Sequence, residues 1–177
     1  MQDLGQRFVV GGEDELEEIM SLYGEKLLRY ATAILCDYYE AENIAQEVFL
    51  SAYQNRNTFD GNNLSAWLYK MTYHRCLNQR KRFRRILYFH EVRVKDISAE
   101  QDKGLSDETL RALQKLKPKE RALVYGRIIE EQSYEELSLL TGSSPVALRK
   151  RYQRAKEKLL HYLNAEYGRE ESRYGQI

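Results

Sequence analysis

The sequence predicts an all-α protein of two small helical domains, an N-terminal helix bundle and a C-terminal helix-turn-helix, joined by a flexible linker. Three observations lead there. The composition is rich in Ala, Glu, Lys, Leu, Arg and Tyr, β-branched runs are scarce, and 177 residues include only two prolines, Pro118 and Pro145; such residues favour helix. Apolar side chains recur at steps of three and four in several stretches, the spacing that gathers them on one helical face. Near the C-terminus a short stretch, a glycine and a basic stretch follow in the order of a helix-turn-helix. At this length two small domains sharing a linker can each form a core.

The first long element covers residues 14–35, where Leu16, Ile19, Met20, Tyr23, Leu27, Ala31 and Ile34 form one stripe. Asp37 is placed to cap the next helix. That helix gathers Ala41, Ile44, Ala45, Val48, Phe49 and Ala52 on one face, leaves Glu42, Asn43, Gln46 and Glu47 on the other, and runs out near Arg56. Residues 57–63 form a loop by their Asn, Asp and Gly content. A third helix starts at Leu64, buries Trp67, Leu68, Met71 and Leu77 beside it, and ends among the arginines near 85. Short loops between amphipathic helices favour a bundle, and residues 1–85 are that domain.

Periodicity fades over 86–105, a linker in which the part holding Val92 and Val94 could pass for a strand. The second domain spans 106–165. Ser106 caps its first helix, lined by Leu110, Leu113 and Leu116, and Pro118 sits in the first turn of the next. A short helix near 134–140 leads through Thr141, Gly142 and Ser143 into a last helix over roughly 144–165. Residues 166–177 are a polar, frayed tail.

Charge is segregated rather than large. The net formal charge is +1, yet acids crowd the first forty-odd residues, and two later stretches are basic: Lys70, Arg75, Arg80, Lys81, Arg82, Arg84 and Arg85, then Arg149, Lys150, Arg151, Arg154, Lys156 and Lys158. That pattern points to separate surfaces for separate partners. An apolar share of 42% is too high for a disordered chain. Two cysteines, Cys36 and Cys76, make no disulfide framework and no C-x-x-C pair. No apolar run approaches the ~20 residues of a membrane span, and the start lacks a signal-peptide layout. The expectation is a cytoplasmic protein with no membrane insertion.

Three constellations carry function. In residues 133–163, Gly142 supplies the positive φ of a tight turn, Ser144 caps the last helix, and Pro145 fits its first turn. Leu148, Tyr152, Ala155 and Leu159 face inward, leaving Arg149, Lys150, Gln153 and Arg154 outward. Long donors near the start of such a helix suit the major groove. In residues 54–85, Asn55, Arg56 and Asp60 precede a cationic helix bearing Tyr69, Lys70, Tyr73, His74 and Arg80. Polar loop groups can read an extruded base while aromatic faces stack on others. Trp67 lies on the apolar stripe and reads as core, whereas Tyr69 and Tyr73 read equally as core or as stacking platforms. The third is the polar face of residues 41–49, which physics alone calls a solvated surface.

Motifs in fixed order then tie these together: Glu42-Asn43-x-x-Gln46-Glu47-x-Phe49, Phe59, Ala66-Trp67-Leu68-Tyr69, Leu116-x-Pro118-x-Glu120-Arg121, and residues 133–155. Over about 14–163 the chain resembles RNA polymerase sigma factors of the extracytoplasmic-function class. The resemblance implies that Glu42, Asn43, Gln46, Glu47 and Phe49 grip the clamp coiled coil of core RNA polymerase. It implies that residues 54–85 capture a flipped base of the −10 promoter element, and that Ser144, Arg149, Lys150, Gln153 and Arg154 read the −35 element from a domain resting on the polymerase flap. It also implies an anti-sigma factor as partner. The chain departs from the family pattern at Asn43, where relatives show Asp, at His74 and Asn78, where they show Asn and Asp, and at Pro145 and Ala147. Two other readings compete. A helix-turn-helix regulator with a sensing or dimerising N-terminal domain explains 106–165 but not the motif at 42–49. An enzyme such as a nuclease finds no support: His74, His90 and His161 have no metal-ligand spacing, no phosphate-binding glycine loop is present, and no cofactor, metal or catalytic residue is expected.

Overall fold

The computed structural model describes residues 3–87 and 105–174, with side chains over 3–79 and 105–165. These fall into two compact units, one on either side of residues 88–104. Among the described residues the regular structure is eight α-helices and one 3-10 turn, with no strand.

The first unit begins with α1 (Leu4–Val10), a short helix the sequence did not announce, held by the fully buried Phe8. At the start of α2 (Glu13–Leu35), Gly12 N–H donates to Glu15 Oε2 at 2.8 Å. That bond, with the peptide N–H of Glu15 itself, holds the Glu15 carboxyl below the usual carboxylate range. Acids at 13–15 also oppose the positive end of the helix dipole. Cys36 ends α2 in the left-handed region at φ 53°. Asp37 then caps α3 (Tyr38–Gln54), accepting from Glu40 N–H at 3.0 Å as expected.

A 3-10 turn (Arg56–Thr58) and a tight loop lead to α4 (Leu64–Leu87). Helices α2, α3 and α4 pack on one another. Their core includes Ile19, Leu27, Ile34, Ile44, Val48 and Leu68, with Tyr30 and Tyr69 rings 5.1 Å apart and tilted by 56°, a geometry favoured by ring quadrupoles. Buried Thr32 and Thr72 donate their hydroxyls back to Leu28 O and Leu68 O, which satisfies them within their own helices.

Two expected stripes are corrected. Met20 points outward, 47% exposed. On α4 the buried face is Leu64, Leu68, Tyr69, Thr72, Tyr73 and Cys76, while Trp67, Met71 and Leu77 are half-buried. The helix is rotated because Tyr and Cys pack inward as well as the aliphatics do. Burial pushes the Cys76 thiol up to about 12, so it stays protonated at neutral pH.

In the second unit, α5 (Asp107–Gln114), α6 (Pro118–Ile128) and α7 (Tyr134–Thr141) pack on α8 (Pro145–Tyr174). Ser106 caps α5, accepting from Thr109 N–H at 3.2 Å. Leu110, Leu113 and Leu116 are buried, and Leu123, Leu137 and Leu148 meet in a core flanked by Tyr134 and Tyr152. Gly126 permits this closeness: a Cβ there would lie 2.8 Å from Gln132 Oε1 and 2.9 Å from Leu137 Cδ2. The backbone of α8 continues past the end expected near 165, to Tyr174, and residues 175–177 of the expected polar tail lie outside the described residues. The linker expected over 86–105, with its strand-like Val92 and Val94, lies almost wholly outside the described residues; α4 itself runs through Leu87.

Candidate nucleic-acid interface

The C-terminal unit presents a helix-turn-helix built by local chemistry. Ser133 Oγ accepts from Glu136 N–H at 3.1 Å, and Glu136 accepts in return from Ser133 N–H at 2.7 Å. The reciprocal pair is a capping box. It holds the Glu136 carboxyl below the usual carboxylate range, the backbone bond being the larger cause and the Ser133 hydroxyl the next. Gly142 closes α7 at φ 71°, with its N–H donating to Ser138 O at 2.9 Å. A Cβ at Gly142 would meet nothing within 4 Å, so conformation rather than crowding calls for glycine here. Ser144 Oγ then accepts from Ala147 N–H at 3.3 Å and starts α8.

Leu148 and Ala155 are fully buried, with Tyr152 and Leu159 half-buried on the same side. Ser144, Val146, Arg149, Lys150, Gln153 and Arg154 are exposed. One of these is constrained. The Arg149 guanidinium carbon lies 5.2 Å from the centre of the Tyr134 ring, and that of Arg127 lies 4.8 Å from the same ring. Tyr134 opens α7, so the ring ties the first helix of the motif to a donor on the second.

In the N-terminal unit, Glu42, Asn43, Gln46 and Glu47 line the exposed face of α3, backed by buried Ile44, Ala45 and Val48. Glu47 accepts from Arg75 on α4 at 2.7 Å, and Glu40 accepts from Gln79 at 2.7 Å. Arg75 is therefore engaged within the bundle rather than held out for phosphate. The exposed stripe of α4 carries Ala66, Lys70, His74 and Asn78 at four-residue steps.

Between α3 and α4 the loop is organised by its own side chains. Asp60 Oδ1 accepts from Asn62 N–H at 2.9 Å, and Asn63, at φ 48°, caps α4 by accepting from Ala66 N–H at 3.0 Å. Asn55 donates to Ser51 O at 2.8 Å, and the Phe59 ring stacks on Trp67 at 4.6 Å. Asn55, Asp60, Asn62 and Asn63 stay exposed.

Comparison with known proteins places these elements. The Sigma-70 region 2 profile matches residues 19–86, spanning α2 to α4, and the Sigma-70, region 4 profile matches residues 106–159, spanning α5 to α8. The ECF RNA polymerase sigma factor SigE of Mycolicibacterium smegmatis is 26% identical over 83% of this chain and 61% of its own length. This chain belongs to the Sigma-70 family of sigma factors. It spans under two thirds of that relative's length. The sigma factor CarQ of Myxococcus xanthus is 27% identical over 89% of this chain and 94% of its own. The fold is shared with a solved sigma factor, RpoE of Bartonella quintana in complex with the anti-sigma factor NepR, at a TM-score of 0.72 and 24% identity over 86% of this chain and 98% of that one. The region 2 match also gives this sigma factor's N-terminal half an identity that a ligand-sensing regulator would lack.

Four of the site residues anticipated from sequence are corrected by where they lie. Tyr69 and Tyr73 are each 2% exposed, so neither offers a face to a nucleobase. Phe49, 6% exposed, supports the α3 surface from beneath rather than forming it. Arg56 is turned inward: its Nε donates to Gly11 O at 3.0 Å, its Nη1 to Tyr53 O at 2.7 Å, and its guanidinium carbon lies 4.3 Å from the Tyr53 ring centre. Arg80 is on the described backbone of α4, but its side chain lies outside the described residues. Sequence reasoning missed Tyr134 and Arg127, because a ring contact between helices leaves no periodic trace.

Proposed function

We propose that this sigma factor binds core RNA polymerase and directs promoter recognition, −10 opening and transcription initiation, catalysing nothing by itself. The observation that carries this is the presence of regions 2 and 4 in order on one chain, each on its own compact unit. The exposed face of α3, with Glu42, Asn43, Gln46 and Glu47, docks on the clamp coiled coil, and the C-terminal unit rests on the flap. Ser144, Arg149, Lys150, Gln153 and Arg154 meet the −35 duplex; Asn55, Asp60, Lys70, His74 and Arg80 meet the −10 strand. Phosphate contacts by Lys and Arg supply most of the affinity, and a few base contacts supply discrimination. On this reading it works in the cytoplasm; no described helix is long and apolar enough to cross a membrane. Likeness to a sigma factor solved with an anti-sigma partner supports control by such a partner here.

The test is reconstitution. Purified chain added to core polymerase should yield an initiator that selects promoters, and a Gln46→Ala, Glu47→Ala double variant should bind core at least tenfold more weakly with its melting temperature unchanged. If start-site choice is the same with and without the chain, the proposal fails. Intact core binding by the double variant would remove α3 as the docking face.

A further inference from the structure

We propose that α1 is a positioning element for the loop between α3 and α4, acting through a glycine-to-glycine contact between Gly5 and Gly61. The inference rests on the assignment of that loop to the −10 strand and adds a part of the chain that lies ahead of the region 2 match, which begins at residue 19.

Two glycines far apart in sequence face each other. A Cβ on Gly5 would lie 2.6 Å from Gly61 O and 3.4 Å from Gly61 C, and one on Gly61 would lie 3.3 Å from Gln6 Cγ and 3.4 Å from Gln6 Cα. Both glycines are buried, and Gly61 sits at φ 80°. The first of these contacts is with a backbone oxygen, which cannot swing aside as a flexible side chain would. A second tie runs beside it, from Arg56 Nε at the start of the 3-10 turn to Gly11 O just past α1. Phe8 anchors the helix from below with no exposed surface. The loop is thus seated on α1 by its inner edge, while Asp60 and Asn62 on its outer edge remain exposed. A loop that reads an unstacked base must hold its polar groups within a few tenths of an ångström of one arrangement. Here α1 supplies the floor that fixes them.

The experiment uses the full chain in complex with core polymerase, binding fork-junction DNA whose −10 segment is single-stranded. Discrimination between the promoter's own −10 strand and one with a replaced target base is measured alongside core binding. Gly5→Ala should lower that discrimination about tenfold while core binding and helix content stay the same, since Ala favours helix over Gly. Gly12→Ala, at the same junction, should behave as wild type, because a Cβ there would meet nothing within 4 Å. Should Gly5→Ala fail to fold, Arg56→Met carries the test: it cuts the second tie without adding bulk and should weaken discrimination in the same sense. Unchanged discrimination in the folded Gly5 variant, or in the Arg56 variant standing in for it, overturns positioning by α1, as does equal loss in the Gly12 variant. Asp60→Ala separates the two levels. If it leaves fork binding intact, the strand-binding assignment itself fails; if it impairs binding while both tie variants do not, that assignment stands and the role of α1 falls.

Discussion

At Tyr134 one ring receives two guanidinium groups, those of Arg127 and Arg149. Arginine loses side-chain entropy when it is fixed for base recognition, so a ring that holds it beforehand lowers the cost of that step. An exposed cation–π contact contributes about 0.5–1 kcal/mol. Tyr134→Leu, which keeps bulk against Leu137, is therefore expected to weaken binding of a −35 duplex about two- to fivefold, with Tyr134→Phe close to wild type. Arg149→Ala should cost more, about 1–3 kcal/mol on the preferred sequence. Fluorescence titration of the four proteins, with the Tyr134→Leu, Arg149→Ala double variant, checks the coupling: the Leu change should add little once Arg149 is gone. The same scale shows where sequence is mute. Tyr69 and Tyr73 read equally as core or as stacking platforms because an amphipathic ring serves both, and only packing against α2 and α3 turned them inward.

Among elements, the start of α6 shows why one motif was legible and its purpose was not. Pro118 takes the first helical position, and Lys117 N–H donates to Glu120 Oε2 at 2.9 Å. Arg121, 2% exposed, donates through Nε to Leu116 O at 3.0 Å and closes the turn from α5. The Leu-x-Pro-x-Glu-Arg motif is thus a fold device, a capped helix start with a buried arginine satisfying carbonyls the turn would strand. Burial pushes the Glu120 carboxyl up, but the Lys117 N–H and the Lys158 ammonium, 3.1 Å away on α8, outweigh it and leave it lowered. Glu136 is lowered by its cap to Ser133. Both groups thus bind protons more weakly folded than unfolded. Their stabilisation is present above the ordinary glutamate value of about 4.3 and is lost as pH falls through the lowered values. Glu120→Ala should destabilise the C-terminal unit by about 1 kcal/mol at pH 7, and that difference from wild type should shrink below pH 4. Urea melts followed by circular dichroism at pH 7 and at pH 3.5 measure both; an equal difference at the two pH values would refute the assignment.

Over the whole chain a net charge of +1 conceals local surfaces of unlike charge, an acid-and-amide face on α3 and a basic face on α8. Affinity for DNA should follow the local patch and not the total. Lys150→Ala is expected to lower the slope of log affinity against log salt by about one, measured on a −35 duplex, while Glu25→Gln, the same size of charge change far along α2, should leave the slope unaltered. Sequence alone determined the helical class, the α3 and α8 faces, the caps at Asp37, Ser106 and Ser144, and the turn at Gly142, because each depends on neighbours within about one helical turn and leaves a period or a capping residue as its trace. Tertiary structure alone decided which way α4 is rotated, that Arg56 serves the fold, that Arg149 is held by Tyr134, and that α1 lies under Gly61. Those four depend on groups brought together from distant or separate elements, where packing chooses among side chains that local chemistry treats alike.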